Sequence, residues 1–172
     1  MCIRDRRIAG GVIWSYGNAL AAPYTEQFYI GGANSVRAFS ARNIGPGGYA
    51  PDKESKYSFI NHVGDIRLEA NVEYRFRIIG DLHGAVFLDA GNVWLMRKDD
   101  SRPNGEFSLK NFAKQIALGT GAGLRYDMDF LVFRLDCGVG LHDPYETGKS
   151  GYYNIPKFKD SLALHFAIGY PF

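Results

Sequence analysis

Four histidines and two cysteines are the residues here best suited to metal binding or nucleophilic chemistry, and their spacing argues for neither. His62, His83, His142 and His165 are scattered, with no HExxH pair or other ligand spacing. Cys2 and Cys137 form no CxxC unit and provide no disulfide framework. Cys137 falls in an apolar stripe, where a thiol behaves as a small hydrophobe. The run Gly119-Thr120-Gly121-Ala122-Gly123 looks superficially like a phosphate-cradling loop, but it lies inside an alternating stretch with no helix behind it. A Ser, His and Asp set can be drawn from the polar stretches, yet nothing fixes its geometry. The chain is therefore expected to hold no cofactor and no metal, and to be no enzyme, although barrel proteases and phospholipases exist as a rival class.

Those glycines read better as part of a wall. Between 116 and 126, Ile116, Leu118, Ala122, Leu124 and Tyr126 lie opposite Gly119, Gly121, Gly123 and Arg125. Glycines on such a face leave room for an inserted loop or for strand bending. The clearest element is 65–78, where Asp65, Arg67, Glu69, Asn71, Glu73, Arg75 and Arg77 alternate with Ile66, Leu68, Ala70, Val72, Tyr74, Phe76 and Ile78. Unbroken period two excludes an amphipathic helix, whose apolar positions recur at 3.6. At about 3.3 Å per residue the strand is roughly 45 Å long, well beyond the usual globular strand. One wet face and one greasy face at that length mark a transmembrane β-strand.

The pattern recurs. Leu131, Phe133, Leu135, Cys137, Val139 and Leu141 stand opposite Val132, Arg134, Asp136, Gly138, Gly140 and His142. Leu162, Leu164, Phe166, Ile168, Tyr170 and Phe172 form the last stripe. Segments 8–18 and 82–94 are weaker but strand-like, giving six strands. Tight turns at 78–82 and 126–130 alternate with long polar stretches at 19–64, 95–115 and 142–160, as in outer-membrane barrels with short periplasmic turns and long external loops. A soluble β-sandwich has no need of that alternation. Trp14, Trp94, Tyr126 and Tyr170 suit interfacial girdles, with ordinary core aromatics as the plain alternative.

Composition agrees. The 172 residues carry 20 Lys and Arg against 18 Asp and Glu, a formal charge of +2, which gives no nucleic-acid footprint. Aromatics make up 15% and glycines number 21, yet no apolar run reaches the roughly 18 residues of a transmembrane helix. Six strands are too few to close a barrel, since about eight is the practical minimum. Residues 1–7 are atypical and hold no apolar signal segment. The expectation is the C-terminal part of a longer barrel, occupying 8–172.

The loop stretch 30–49 contains Gly31-Gly32, then Ser35-Val36-Arg37-Ala38-Phe39, then Gly45-Pro46-Gly47. This resembles the VRGF loop of the Omp85 superfamily, the outer-membrane assembly and translocation barrels. Gly64-Asp65 with Asn71-Val72-Glu73-Tyr74-Arg75 is similar to the family's next strand, and Phe87-Leu88-Asp89-Ala90-Gly91 to its FxDxG strand. Phe166, Ile168, Tyr170, Pro171 and Phe172 resemble the signal read when a barrel is inserted, and in the family the last strand meets the first at a weak seam. The implied fold is an all-β antiparallel transmembrane barrel of sixteen strands with upstream periplasmic repeats.

The resemblance also implies that the loop folds back into the lumen, its Arg meeting the Asp of FxDxG. Here that pairs Arg37 with Asp89, with Glu69 or Glu73 nearby and Gly91 leaving room for the loop backbone. Without the resemblance, Arg37 reads as a solvated loop residue and Asp89 as a strand-end polar group. One departure is Ala38, where the family has Gly, and Ala does not readily take positive φ. The implied function is insertion of β-barrel proteins into the bacterial outer membrane or export of proteins across it. Its partners are outer-membrane lipid, unfolded outer-membrane or secreted clients, and periplasmic or lipoprotein partners. A passive porin or ligand-binding barrel is the alternative.

Overall fold

Strands alternating between polar and apolar residues need partners on their edges and different solvents on their two faces, and one sheet gives its four inner strands a partner on each side. A computed structural model describes residues 3–17, 19, 22–50, 58–149, 151–155 and 158–169. Six strands follow chain order, each antiparallel to the next: β1 (Ile3–Val12), β2 (Ile66–Ile79), β3 (Leu82–Trp94), β4 (Ala117–Asp127), β5 (Val132–His142) and β6 (Leu162–Ile168). The register follows the pleat. Asn71 pairs with Asp89, Asp89 with Gly119 and Gly121 with Gly138, so residues of like character share a face across four strands.

The two short turns are built from residues that tolerate left-handed backbone. Gly80 takes φ +54° between β2 and β3, and Asp129 takes φ +64° between β4 and β5, where a side-chain carboxylate makes such a conformation tolerable. The three remaining connections are long and lie at the opposite end of the sheet. No described helix is long and apolar enough to cross a membrane, a test that says nothing of strands.

One face of the sheet is greasy and exposed. Val72, Tyr74, Phe76 and Ile78 on β2, Val86 and Leu88 on β3, and Leu162, Leu164, Phe166 and Ile168 on β6 all point outward. The other face holds Glu69, Asn71, Glu73, Asp89, Arg125, Arg134 and Asp136, all buried. A sheet that exposes its hydrocarbon and buries its charges is inverted relative to a soluble protein, and is at equilibrium only with lipid outside and a filled lumen inside. The filling is the long β1–β2 connection. Its residues Ile30, Val36, Ala38, Phe39 and Ile44 pack with Val93 and Ala117 into one apolar cluster between loop and wall.

Two sequence expectations shift. The first strand, expected at 8–18, runs from Ile3 to Val12, because β2 extends to Ile79 and offers ladder partners to the opening residues, Ile3 opposite Arg75 and Arg7 opposite Asn71. An ion pair between Asp5 and Arg75 joins that end on the inner face. The last strand ends at Ile168, and Tyr170, Pro171 and Phe172 lie outside the described residues. Trp94 is a core residue and belongs to no girdle. The loop after β3 covers this end of the strand, so Trp94 is fully buried against Phe107 and Phe112 and donates from Nε1 to Gln115 Oε1 at 2.9 Å. Trp14 and Tyr126 are exposed near strand ends.

Candidate functional site

The inner wall is cleared where glycines recur. A Cβ at Gly119 would run into the Ala38 methyl, and one at Gly138 would meet the Arg37 carbonyl and lie 2.8 Å from the Ala38 Cα. Bare backbone on β4 and β5 is therefore the seat of the loop at residues 37–38. Ala38 meets no conformational penalty there: among described non-glycine residues Arg42, Asn104 and Asp129 take positive φ, and Ala38 does not. Gly91 does not serve the loop as expected. Its missing side chain is required by β2, since a Cβ would lie 2.7 Å from the Leu68 carbonyl and 3.2 Å from the Glu69 Cγ.

The loop's own turn is held by short bonds. Gly32 N donates to the Phe39 carbonyl at 2.8 Å, Phe39 N to the Val36 carbonyl at 3.1 Å, and Arg42 N to the Ile30 carbonyl at 3.1 Å. Gly31 N donates to Ser35 Oγ at 3.1 Å, and that hydroxyl donates to Glu69 Oε1. Gly31, at φ +99°, packs so closely on the Ser40 carbonyl that no side chain fits. Val36 and Phe39 point into the apolar cluster, which leaves Arg37 between them directed at the wall.

Arg37 has no solvent exposure, and neither do Asp89 and Glu73. Its Nε donates to Asp89 Oδ2 and its Nη2 to Asp89 Oδ1, both at 2.8 Å, a two-pronged fork on one carboxylate. The Arg37 backbone N adds a third bond to Asp89 Oδ2 at 3.0 Å, and Nη1 pairs with Glu73 Oε2. The guanidinium carbon sits 3.7 Å from the Phe87 ring centroid, a cation–π contact on the same strand as Asp89. Asn71 Nδ2 donates to Asp89 Oδ1 and to the Ser35 carbonyl, at 2.9 Å each, tying β2, β3 and the loop together. Of the two glutamates expected near Arg37, Glu73 pairs with it, whereas Glu69 is taken by Ser35 and by Arg67 at 2.7 Å.

Charge continues past Glu73. Arg125 Nη2 donates to Glu73 Oε2 at 3.1 Å and its Nη1 to Asp136 Oδ1 at 2.5 Å. Arg134 Nε lies 3.2 Å from Asp136 Oδ2. The sequence pattern puts Arg125, Arg134 and Asp136 opposite the apolar stripe but assigns them no role. The available signal was three charges on a face otherwise given to glycine.

Phe166 and Ile168 are exposed on the outer face of β6, whose far edge meets no other described strand. On the same β1–β2 connection, His62 is buried with Nδ1 against the Gly45 carbonyl and its ring 6.0 Å from that of Tyr49. Burial pushes this imidazole below its ordinary range, and the Gly45 bond opposes that only in part. Among the described residues no group of three or more His, Cys, Asp or Glu is gathered as a metal centre. The buried guanidinium of Arg37 thus joins the loop to β2 and β3 through charge-assisted hydrogen bonds to two carboxylates.

Comparison with known proteins gives three findings. The Omp85 superfamily domain matches residues 5–172. The chain is 30% identical over 89 residues to the outer membrane protein assembly factor BamA of Neisseria meningitidis serogroup B, a match covering 49% of this chain and 11% of that protein. The crystal structure of BamA from Haemophilus ducreyi lacking POTRA domains 1–3 has a similar fold. The TM-score is 0.62 at 15% identity, over 98% of this chain and 32% of that one.

Proposed function

The chain belongs to the Omp85 superfamily, a family of outer-membrane β-barrels, and from that premise we propose that it acts in the insertion of barrel proteins into the outer membrane or in the passage of proteins across it. On this reading no bond is made or broken. The barrier falls because the barrel offers strand edges to an unfolded client and disturbs the lipid beside it. Arg37 locks the loop in the lumen through Asp89 and Glu73, and the far edge of β6 is part of a seam that opens for clients. The partners are outer-membrane lipid, unfolded clients and accessory periplasmic or lipoprotein subunits.

The observation that carries the reading is the burial of Arg37 against two carboxylates at zero exposure. A desolvated ion pair adds little to stability over well-packed apolar side chains, so a loop that needs only an anchor has no use for it. A loop that must take one defined position does. The related assembly factor from Neisseria points the same way. The test is to replace the cellular copy with Arg37→Ala and follow the amount of folded outer-membrane protein. Client assembly or secretion is expected to fall while the altered barrel itself stays folded in the outer membrane. Wild-type client levels would refute the proposal. A passive porin is the rival, and it predicts steady ion conductance, where a loop-filled barrel conducts poorly.

A further inference from the structure

The loop is gripped a second time, three residues before Arg37, by a strand on the other side of the site. Arg134 on β5 donates from Nη2 to the Ala33 carbonyl at 2.8 Å and to Asn34 Oδ1 at 2.6 Å, bridging about a hundred residues of sequence. From β1, Arg7 Nη1 donates to the Asn34 carbonyl at 3.1 Å. Arg134 is almost fully buried. Its ion-pair partner Asp136 lies on the Nε side, and Nη2 is spent on neutral loop acceptors.

We infer that Arg134 is a second positioning residue for the loop, holding its apex at Ala33 and Asn34, and that Asp136 and Arg125 wire this grip to the carboxylates that hold Arg37. The contacts form one circuit. It runs from Asp89 to Arg37, to Glu73, to Arg125, to Asp136, to Arg134 and back to the loop. Three guanidiniums alternate with three carboxylates, so the circuit is neutral as a whole. In a desolvated lumen the loss of one member leaves its neighbours with uncompensated charge. Contacts to β2 and β3 hold the loop from one side of the lumen at residues 35 and 37, and the Arg134 grip adds an attachment to β5 on the other. The glycine-lined seat on β4 and β5 fits the loop closely, since a Cβ at Gly138 would meet the Arg37 carbonyl and one at Gly119 the Ala38 methyl. Arg134 reads one backbone carbonyl and one side-chain amide of adjacent residues, a pattern suited to registering a chain rather than to balancing Asp136. This inference rests on the proposal that a seated loop serves assembly or translocation.

The experiment reads loop position directly and does not depend on client assembly. In a Cys2→Ser, Cys137→Ser background, Ala33→Cys supplies the one thiol, at a residue whose carbonyl, not methyl, takes the Arg134 bond. Outer membranes are treated with a maleimide and the labelling rate is measured on folded barrels. Arg134→Ala is expected to raise the rate by about tenfold or more, the loss of a charge-assisted hydrogen bond read as loop opening. Arg134→Lys keeps the charge, loses the fork and should fall in between. Should Arg134→Ala fail to fold, Arg134→Lys decides. A control thiol from Lys110→Cys on another loop should keep its rate. Unchanged labelling of Ala33→Cys in either folded Arg134 variant overturns the grip. For the wiring, the Arg37→Ala, Arg134→Ala double variant should depart from the product of the single effects by more than about threefold, and a simple product overturns it. Raised labelling with normal client assembly would leave the second grip standing and remove the proposed function.

Discussion

Removing the Arg37 side chain should release the loop while leaving the wall intact, and the size of the effect follows from what each carboxylate keeps. Arg37→Ala deletes two bonds to Asp89, the Glu73 pair and the contact over Phe87. Asp89 retains Asn71 Nδ2 at 2.9 Å and the backbone N of residue 37 at 3.0 Å, and Glu73 retains Arg125 Nη2 at 3.1 Å. Breaking a buried pair by deleting one partner costs about 3–5 kcal/mol, and these remaining donors place this case near 3 kcal/mol. At about 1.4 kcal/mol per decade, the equilibrium between seated and released loop shifts roughly a hundredfold. The β2–β5 ladders do not pass through Arg37, so the opening is local. Amide hydrogen exchange on the barrel in membranes or detergent measures it. Protection at Gly32, Phe39 and Arg42, whose N–H groups bond within the loop, should fall by about two decades, with β2–β5 amides unchanged. Arg37→Lys should lose about 1–2 kcal/mol, since an ammonium cannot reproduce the fork. Loop protection within threefold of wild type in Arg37→Ala, or full protection in Arg37→Lys, would refute the reasoning.

Gly138→Ala forces a methyl onto loop backbone and should loosen residues 30–39 by about 1–3 kcal/mol in the same exchange measurement. Gly140→Ala meets mainly the mobile tip of Ile155 at 2.6 Å and should cost less, under about 1.5 kcal/mol. Ala38→Gly restores the family residue at a position that has no positive φ, so it should bring no gain and lose about 1 kcal/mol of loop stability, read as reduced protection of Phe39. Burial holds His62 below the ordinary imidazole value of 6.5, so the folded loop prefers the neutral ring and the released one binds the proton first. Loop stability is therefore full above about pH 6.5 and declines as pH falls from there toward the depressed folded value. Protection factors of the amides within 45–49 and 58–64, which already allow for the slower intrinsic exchange in acid, should fall on acidification in wild type and stay constant in His62→Gln.

The alternation of residue types determined the strands, their inner and outer faces, and the placing of short turns against long loops. Period two is a local property, and a strand with hydrocarbon on one side has one orientation in lipid. That is why the sequence separates Glu69, Asn71 and Glu73 from Val72, Tyr74 and Phe76 on opposite faces of one strand. The partner of Arg37 was legible through resemblance, because the motif spacing carries it where local pattern does not. Tertiary structure decided what long-range approach decides. Ile3 to Arg7 join β1 because β2 is long enough to pair with them, a fact about another segment. Trp94 is buried because a loop some fifteen residues later folds over its strand end. Gly91 faces β2 and Gly138 faces the loop, although both are simply glycines in strands; which neighbour needs the space depends on sheet twist and loop path. Arg134 meets Ala33 and Asn34 across about a hundred residues. No periodicity encodes that contact, since it exists only once the loop is seated and the charges in the lumen have no water left to bind.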